Sequence, residues 1–572
     1  MVASAGQESR PGRSTRALTA LLDFALASDA RAALTLLVVA FLFFLPGFFS
    51  IPPTDRDEAR FAQATKQMLE TGDYVDIRFQ DEVRYKKPVG IYWLQAASVK
   101  AGRALGARNA LTTIWLYRIP SLIGAVGAVL LTYWCALALV SRRAALFAAL
   151  MMASCVLLGM ERLLAKTDAM LLAMIVAAMG ALARMYLPQE NAGPARQWIN
   201  AAIFWTALGG GVLLKGPLIV MIIVLAALTL AIVDRSAAWL WRARPIPGFL
   251  WFAVLVLPWF IAITGRAGEA FYSESLGQDL FSKIFTGQEG HGAPPGYYFI
   301  LFWITFWPGA TVAALATPFV WAARHEPNIK FLLAWLVPAW LIFEVVITKL
   351  PHYVLPLYPA IAILAAAALA EHKLSRKPWL VSGTMAWFVL PLLAGLGGCI
   401  ALAVIGHQFG LFAWVLVGMA VVMGLLAWRL YEMDGPEHSF LRAVTAGLLT
   451  GLANYSFVLP ALGHFFPSPA LARVMRDSGC IRPEAAAAGY EEPSLIFLAG
   501  TETHLTDGAG AAEFLRGGPC RFAFVEARQE KSFIQRAEAT GLRYSAGPRI
   551  DGFNVNSGRP ITIAVFRSRD AS

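Results

Sequence analysis

Two charged runs stand close together just past the first apolar segment: Asp55-Arg56-Asp57-Glu58-Ala59-Arg60-Phe61 and Arg84-Tyr85-Lys86-Lys87-Pro88-Val89-Gly90. A carboxylate so placed can take a proton from an attacking hydroxyl. Cations beside it can hold a phosphate and stabilise the charge that develops as the phosphate departs. At a lipid interface this pairing suits a leaving group that is itself a lipid phosphate. Its hydrocarbon tail can stay between membrane spans while the phosphate meets Lys and Arg.

Further ionisable residues recur at the ends of later apolar runs. They are Glu161 to Asp168, with Lys166 between them; Lys215-Gly216-Pro217; a longer loop with Lys283 and Glu289-Gly290-His291-Gly292; and Lys349-Leu350-Pro351-His352-Tyr353. Such groups often snorkel or pair without further purpose, so one alone carries little weight. Together they describe a single outer cavity. It offers the carboxylates Asp57, Glu58 and Asp168, the cations Arg60, Lys87, Lys166, Lys215 and Lys349, and the imidazoles His291 and His352.

The elements that must position these groups are membrane helices. Of 572 residues, 58% are hydrophobic and only 15% charged, more apolar than a soluble core of this length requires. Runs of about 20 apolar residues can span the hydrocarbon, and about thirteen occur. They lie near 33–50, 114–140, 144–160, 168–187, 199–213, 216–233, 248–264, 298–322, 329–347, 351–370, 379–405, 410–430 and 441–460.

Alternate connections are basic: Arg10, Arg13, Arg16 and Arg31, then Arg142 and Arg143, Arg235 and Arg242, Arg324 and Lys330, Lys373 and Arg376, Arg429 and Arg442. The preference for Lys and Arg on the cytoplasmic side puts these inside. The charged cavity and the C-terminus then face outward. The net charge of +11 is largely this topology signal, and no nucleic-acid partner is expected. The Arg-rich N-terminus lacks a cleavage-site pattern, so the first span is expected to be retained.

Between the first two spans, residues 58–70 and 89–105 have mixed helical patterning and should lie along the membrane surface. Past Phe465-Phe466-Pro467 the composition changes. Residues 494–499, 521–526 and 561–566 read as strands alternating with helices at 469–478, 510–517 and 529–540, the pattern of a small α/β domain. Cys480 and Cys520 both fall in this tail, where oxidation would permit a disulfide; the sequence leaves their pairing open. No phosphate-cradling glycine loop, zinc-protease helix or Gly-x-Ser-x-Gly is present.

The run Arg56-Asp57-Glu58-Ala59-Arg60-Phe61-Ala62, followed by Tyr85-Lys86-Lys87-Pro88-Val89-Gly90-Ile91-Tyr92-Trp93, resembles the first external loop of the lipid A aminoarabinose transferases and their GT-C relatives. The resemblance continues in order through Lys166-Thr167-Asp168-Ala169, Lys215-Gly216-Pro217, His291-Gly292-Ala293-Pro294 and Lys349-Leu350-Pro351-His352-Tyr353. It implies an inverting glycosyltransferase that uses an undecaprenyl-phosphate-linked sugar and a lipid A, lipopolysaccharide or other envelope glycan acceptor. By motif position, Asp57 would be the principal catalytic carboxylate, with Glu58 beside it and Asp168 across the cavity. Arg60, Lys86, Lys87, Lys166 and Lys215 would bind substrate, and Lys349, His352, Tyr353 and His291 would line the cavity.

One departure stands out. Aminoarabinose transferases usually have Glu before the Lys-Pro pair, where it can help a His hold a divalent metal; here the residue is Lys86. A cation cannot ligate a metal, so a site built on His291 loses a ligand and no cofactor is predicted. The added positive charge suits an acidic sugar better than a cationic one.

The expected architecture is an all-α polytopic protein of the bacterial inner membrane, bathed in bilayer lipid. A cytoplasmic tail (1–32) precedes a transmembrane transferase domain (33–462, with external helices within 51–113) and a periplasmic α/β domain (463–572). Two rivals are a protein O-mannosyltransferase, which shares the acidic first loop, and a transporter of lipid-linked sugars. A transporter would be expected to show two related halves with polar groups near mid-membrane. No internal repeat is evident, and the polar groups sit at the outer ends.

Overall fold

The computed structural model describes residues 13–54, 56–187, 193–273, 292–554 and 557–569. Among them, nine helices are long and apolar enough to cross a membrane, or ten if the bent pair Tyr297–Thr305 and Gly309–Ala322 counts as one span. That pair turns by 119°. The other expected spans are short or interrupted. The segment near 33–50 is the 16-residue helix Asp29–Phe44, and that near 216–233 is Leu218–Val233. The segment near 144–160 divides into Arg142–Ala153 and Val156–Glu161. The break has a local cause: Cys155 is extended, and Ser154 Oγ turns back to donate to the Leu150 carbonyl (2.7 Å).

Helix Pro245–Ala267 is apolar along its length yet only 22% buried over its most apolar stretch, leaving Leu250, Val254 and Ile261 exposed. An apolar face left open this way is stable against lipid rather than water. The chain is a multi-pass membrane protein.

The centre of the bundle is Asp168–Tyr186, 83% buried. It packs against Ile114–Ala136 at Gly124, where an added Cβ would lie 2.5 Å from the Met170 backbone nitrogen. This close approach fixes the first turn of the helix that Asp168 begins. A second glycine contact sits nearby: a Cβ on Gly90 would lie 2.7 Å from the Leu213 carbonyl oxygen. Gly90 thereby lets the start of helix Gly90–Ala104 meet the end of Pro194–Lys215, which brings Lys87 toward Lys215.

The first external segment forms helix Asp57–Thr71, stopped by Gly72 in the left-handed conformation (φ 75°). A small hairpin, β1 (Arg78–Phe79) and β2 (Glu82–Val83), follows, and then Gly90–Ala104.

The C-terminal region holds β3 (Glu484–Ala488), β4 (His504–Thr506), β5 (Arg521–Glu526), β6 (Tyr544–Asn554) and β7 (Arg559–Ser568). Their order is β4-β3-β5-β7-β6. β3 runs parallel to β4 and β5, while β7 is antiparallel to β5 and β6. Alternate residues of β3 and β5 supply two cores. Ala485, Ala487, Phe522 and Phe524 face Leu471 and Leu495, whereas Ala486, Ala488, Ala523 and Val525 face Leu515 and Phe533. Residues 494–499, read as a strand from sequence, are the helix Pro493–Ala499, with Pro493 at its first turn. A short apolar run cannot be assigned by periodicity alone, and here the proline decides it. Cys480 and Cys520 are joined by a disulfide, next to the β3 and β5 partners Glu484 and Arg521.

This region docks on the Asp57–Thr71 helix. Lys66 Nζ donates to the Phe497 carbonyl (3.0 Å), Gln63 Nε2 to Thr501 Oγ1 (2.8 Å), and Thr501 Oγ1 to Glu70.

Candidate active site

Asp57 opens helix Asp57–Thr71 and is exposed, while Glu58 next to it is buried. Arg56 before them holds φ 64°, an uncommon conformation for a residue with a Cβ and one that costs energy to maintain. Glu58 is what fixes this turn. Arg118 Nε and Nη2 donate to its two oxygens (2.7 and 2.9 Å), and both side chains are 0% exposed. Thr54 adds a backbone and a hydroxyl donor to Oε2 (2.8 and 2.7 Å), and the Ala165 amide donates to Oε1 (3.0 Å). Burial opposes the Glu58 charge, yet Arg118 and Thr54 outweigh it and hold its pKa below the ordinary value. With every acceptor position engaged, Glu58 is built to hold the loop, not to exchange protons as expected from sequence.

The same frame fixes the segment leading to Asp168. Gln95 Nε2 donates to the Ala165 carbonyl (2.9 Å), and Gln95 Oε1 accepts from Thr65 Oγ1 (2.6 Å). Ser121 Oγ donates to the Leu164 carbonyl (2.6 Å). Glu58, Arg118, Gln95 and Ser121, all buried, thus orient one loop whose side chains make the cluster.

In that cluster Lys215 Nζ pairs with Asp168 Oδ1, and Lys166 Nζ lies 3.3 Å from Glu161 Oε2 and 3.8 Å from Asp168 Oδ2. The His352 ring stands between the two acids, Nδ1 3.8 Å from Glu161 Oε1 and Nε2 3.8 Å from Asp168 Oδ1. Lys215 also lies over the Tyr353 ring at 5.5 Å. Burial works against the Lys166 charge, but Glu161, Asp168 and Asp57 together raise its pKa above the lysine norm. That effect ties exposed Asp57 to the buried cluster. Lys87 lies within electrostatic reach of His352, and its ammonium donates to the Lys86 carbonyl (2.8 Å). Lys86 and Arg60 are half-buried, Arg60 one turn along the helix from Asp57.

Asp57, Lys87, Lys166, Asp168, Lys215, His352 and Tyr353 are therefore brought together from five separate stretches of chain. Lys349 is not free to join them. Its ammonium donates to the carbonyls of Phe343, Glu344 and Val346 (3.0, 2.9 and 2.7 Å), capping helix Pro327–Val345. Its expected part in substrate binding is replaced by a structural one. Lys349→Met should lower the melting temperature by a few degrees, for a loss of about 1–3 kcal/mol, and leave the KM for donor unchanged; a thermal melt with a donor titration checks this. His291 and Asp55 lie outside the described residues.

Two further residues matter here: Arg118, which the sequence did not single out, and Glu161, which it named at the end of an apolar run but did not count among the cavity carboxylates. Arg118 sits inside an apolar helix, and an ionisable residue within a span was the signal that could have found it. Glu161 is 5% exposed at the end of Val156–Glu161 and makes up the cluster's second acid. Among the described residues, no group of three or more His, Cys, Asp or Glu is arranged to hold a metal ion.

The model for dolichyl-phosphate-mannose-protein mannosyltransferases matches residues 56–267, a stretch that holds Asp57, Lys87, Asp168 and Lys215. The undecaprenyl phosphate-alpha-4-amino-4-deoxy-L-arabinose arabinosyl transferase of Erwinia tasmaniensis is 28% identical over 383 residues, 65% of this chain and 62% of the relative. The enzyme of the same name from Yersinia pestis is 28% identical over 392 residues, covering 67% and 66%. The chain thus aligns with just under two thirds of the length of these relatives. The crystal structure of ArnT from Cupriavidus metallidurans bound to undecaprenyl phosphate superposes with a TM-score of 0.71, at 17% identity, over 92% of this chain and 96% of that one. In sequence the chain is thus similar to undecaprenyl phosphate-aminoarabinose arabinosyl transferases, and in fold to ArnT.

Proposed function

We propose that the protein is an inverting membrane glycosyltransferase of the bacterial inner membrane. It moves a sugar from an undecaprenyl-phosphate-linked donor to lipid A, lipopolysaccharide or another envelope glycan at the periplasmic face. The observation that carries this is the gathering of Lys87, Lys166, Lys215 and His352 around Asp168, with exposed Asp57 beside them. The likeness to arabinosyl transferases supports it.

Asp57 takes the proton of the attacking acceptor hydroxyl. Lys87, Lys215 and Arg60 hold the lipid phosphate and stabilise its charge as the glycosidic bond opens. Asp168 keeps Lys166 and Lys215 in place, and His352 and Tyr353 line the wall. In this reading thirteen segments cross the bilayer, the short and bent helices included. Residues 1–32 form a cytoplasmic tail, 33–462 the transferase domain, and 463–572 a periplasmic α/β domain that buttresses the Asp57 helix. Mass spectrometry of envelope lipid made with and without the protein tests the assignment; an unchanged lipid and glycan profile contradicts it. The match to protein mannosyltransferases supports a second acceptor class, and a glycosylated periplasmic protein in the same experiment would select it.

Lys86 bears on the sugar. An added cation next to Lys87 in the chain favours a uronic acid over an aminosugar. Lys86→Glu should invert the preference, by about tenfold for one charge pair of roughly 1.4 kcal/mol. Competing undecaprenyl-phosphate donors carrying aminoarabinose or a uronic acid measure it; strict use of aminoarabinose by the unaltered protein contradicts it.

A further inference from the structure

Sugar transfer leaves a lipid phosphate that gains a negative charge, and Asp57, which takes a proton, cannot supply one to it. Glu161 is a carboxyl with the geometry to do so. It is 5% exposed; Lys166 Nζ donates to its Oε1 (3.4 Å), while its Oε2, 3.3 Å from the same ammonium, makes no hydrogen bond among the described residues. A buried carboxylate oxygen without a hydrogen bond is costly, whereas a protonated carboxyl there needs less. The imidazole of His352 stands between Glu161 and Asp168, 3.8 Å from each, a short side-chain movement from hydrogen-bond distance, and its side chain is 12% exposed. The charged groups facing Glu161 are Lys166, Asp168, Lys215 and His352, with Asp57 and Lys87 acting on that set from the rim.

We propose that Glu161 stores a proton and delivers it through His352 to the departing lipid phosphate. This rests on the glycosyltransferase reading. The bond between the anomeric carbon and the phosphate oxygen breaks, and its electron pair stays on the phosphate. The acceptor oxygen forms the new bond to the same carbon, and its proton goes to Asp57. An oxygen of the leaving phosphate takes a proton from His352, which is replenished by Glu161. Asp57 then returns a proton to the outer medium and Glu161 regains one from it. Burial is the largest influence on Glu161, with Asp168 adding to it against Lys166 and Lys215, and pushes its pKa up to about 7. The stored proton is therefore held below about pH 7, half present at that pH and lost above it. Glu161 acts through His352, so it is a positioning and relay residue.

The test uses the full chain in detergent or liposomes and follows release of undecaprenyl phosphate from synthetic aminoarabinose and uronic acid donors between pH 6 and 9. The wild-type rate should fall about tenfold per pH unit above about 7. Glu161→Gln should be at least about tenfold slower at pH 6 and show no such fall. A Glu161→Gln profile parallel to wild type overturns the relay. Infrared difference spectra of the wild type serve where the variant does not fold. A protonated-carboxyl carbonyl band lost as pH rises through about 7 supports the relay, and no carboxyl titration in that interval overturns it. If the wild type releases nothing from either donor while the infrared band titrates, it is the glycosyltransferase reading that fails, and the relay to a phosphate fails with it.

Discussion

Asp57→Asn is expected to reduce sugar transfer by about 10²–10⁴-fold, the range found when a positioned general base is removed. Asn keeps the size of the side chain and can still sit at the first turn of helix Asp57–Thr71. Asp57 is exposed, and the fold of this turn is held by Glu58, so the variant should melt at the wild-type temperature. What disappears is the carboxylate that acts on Lys166 and that would receive the acceptor proton. Rates measured with lipid-linked donor in membranes, alongside melting curves, check both halves. Transfer within a factor of two of wild type would remove Asp57 from the chemistry. A transporter, in contrast, would give no transfer with either form.

The second large effect concerns Arg118. Its guanidinium holds Glu58 by two bonds and also donates to the carbonyls of Ile51 and Pro52 (2.7 and 2.9 Å). Arg118→Met leaves Glu58 charged and buried without its partner, and breaking such a pair costs about 3–5 kcal/mol. Pairing it with Glu58→Gln should recover part of that loss, because the second change removes the stranded charge. The single variant should accumulate poorly or melt many degrees lower, and the double variant should melt between it and wild type. The acid response has a defined sign. Glu58 has a lowered folded pKa, so its contribution is present above roughly pH 4.3, its unfolded value, and is lost as pH falls through the folded value. A double variant no more stable than Arg118→Met would show that Glu58 and Arg118 act separately.

Much of the site was legible because charge at the end of an apolar run is conspicuous. Asp168, Lys215 and His352 stand at the ends of such runs, Asp57 and Lys87 in the charged stretch past the first one, and the structure brings all of them to one place. Sequence spacing could not tell which ions face a cavity and which serve the backbone. Glu58 and Lys349 look like Asp57 and Lys215 as residue types. The difference is three-dimensional: Arg118 reaches Glu58 from a later helix, and the carbonyls ending Pro327–Val345 surround Lys349.

The helix boundaries were hard to read for a related reason. Composition marks residues 144–160 as one span, but a single extended residue, Cys155, divides it, and that division sets Glu161 at the start of the cluster. In the C-terminal region the run Ala485-Ala486-Ala487-Ala488 gave no strand signal, since alanine favours helices. It is nonetheless an interior strand, paired with β4 and β5 and contributing alternate alanines to both cores.

The central claim is that cations drawn from distant loops hold a lipid phosphate beside Asp57. A structure of the full chain with undecaprenyl phosphate, by electron cryomicroscopy, tests it most directly. The account predicts phosphate oxygens at hydrogen-bond distance, about 3 Å, from the ammonium groups of Lys87 and Lys215, with Asp57 at the edge of the same cavity. A phosphate bound away from both lysines, or at the opposite end of the bundle, would contradict it.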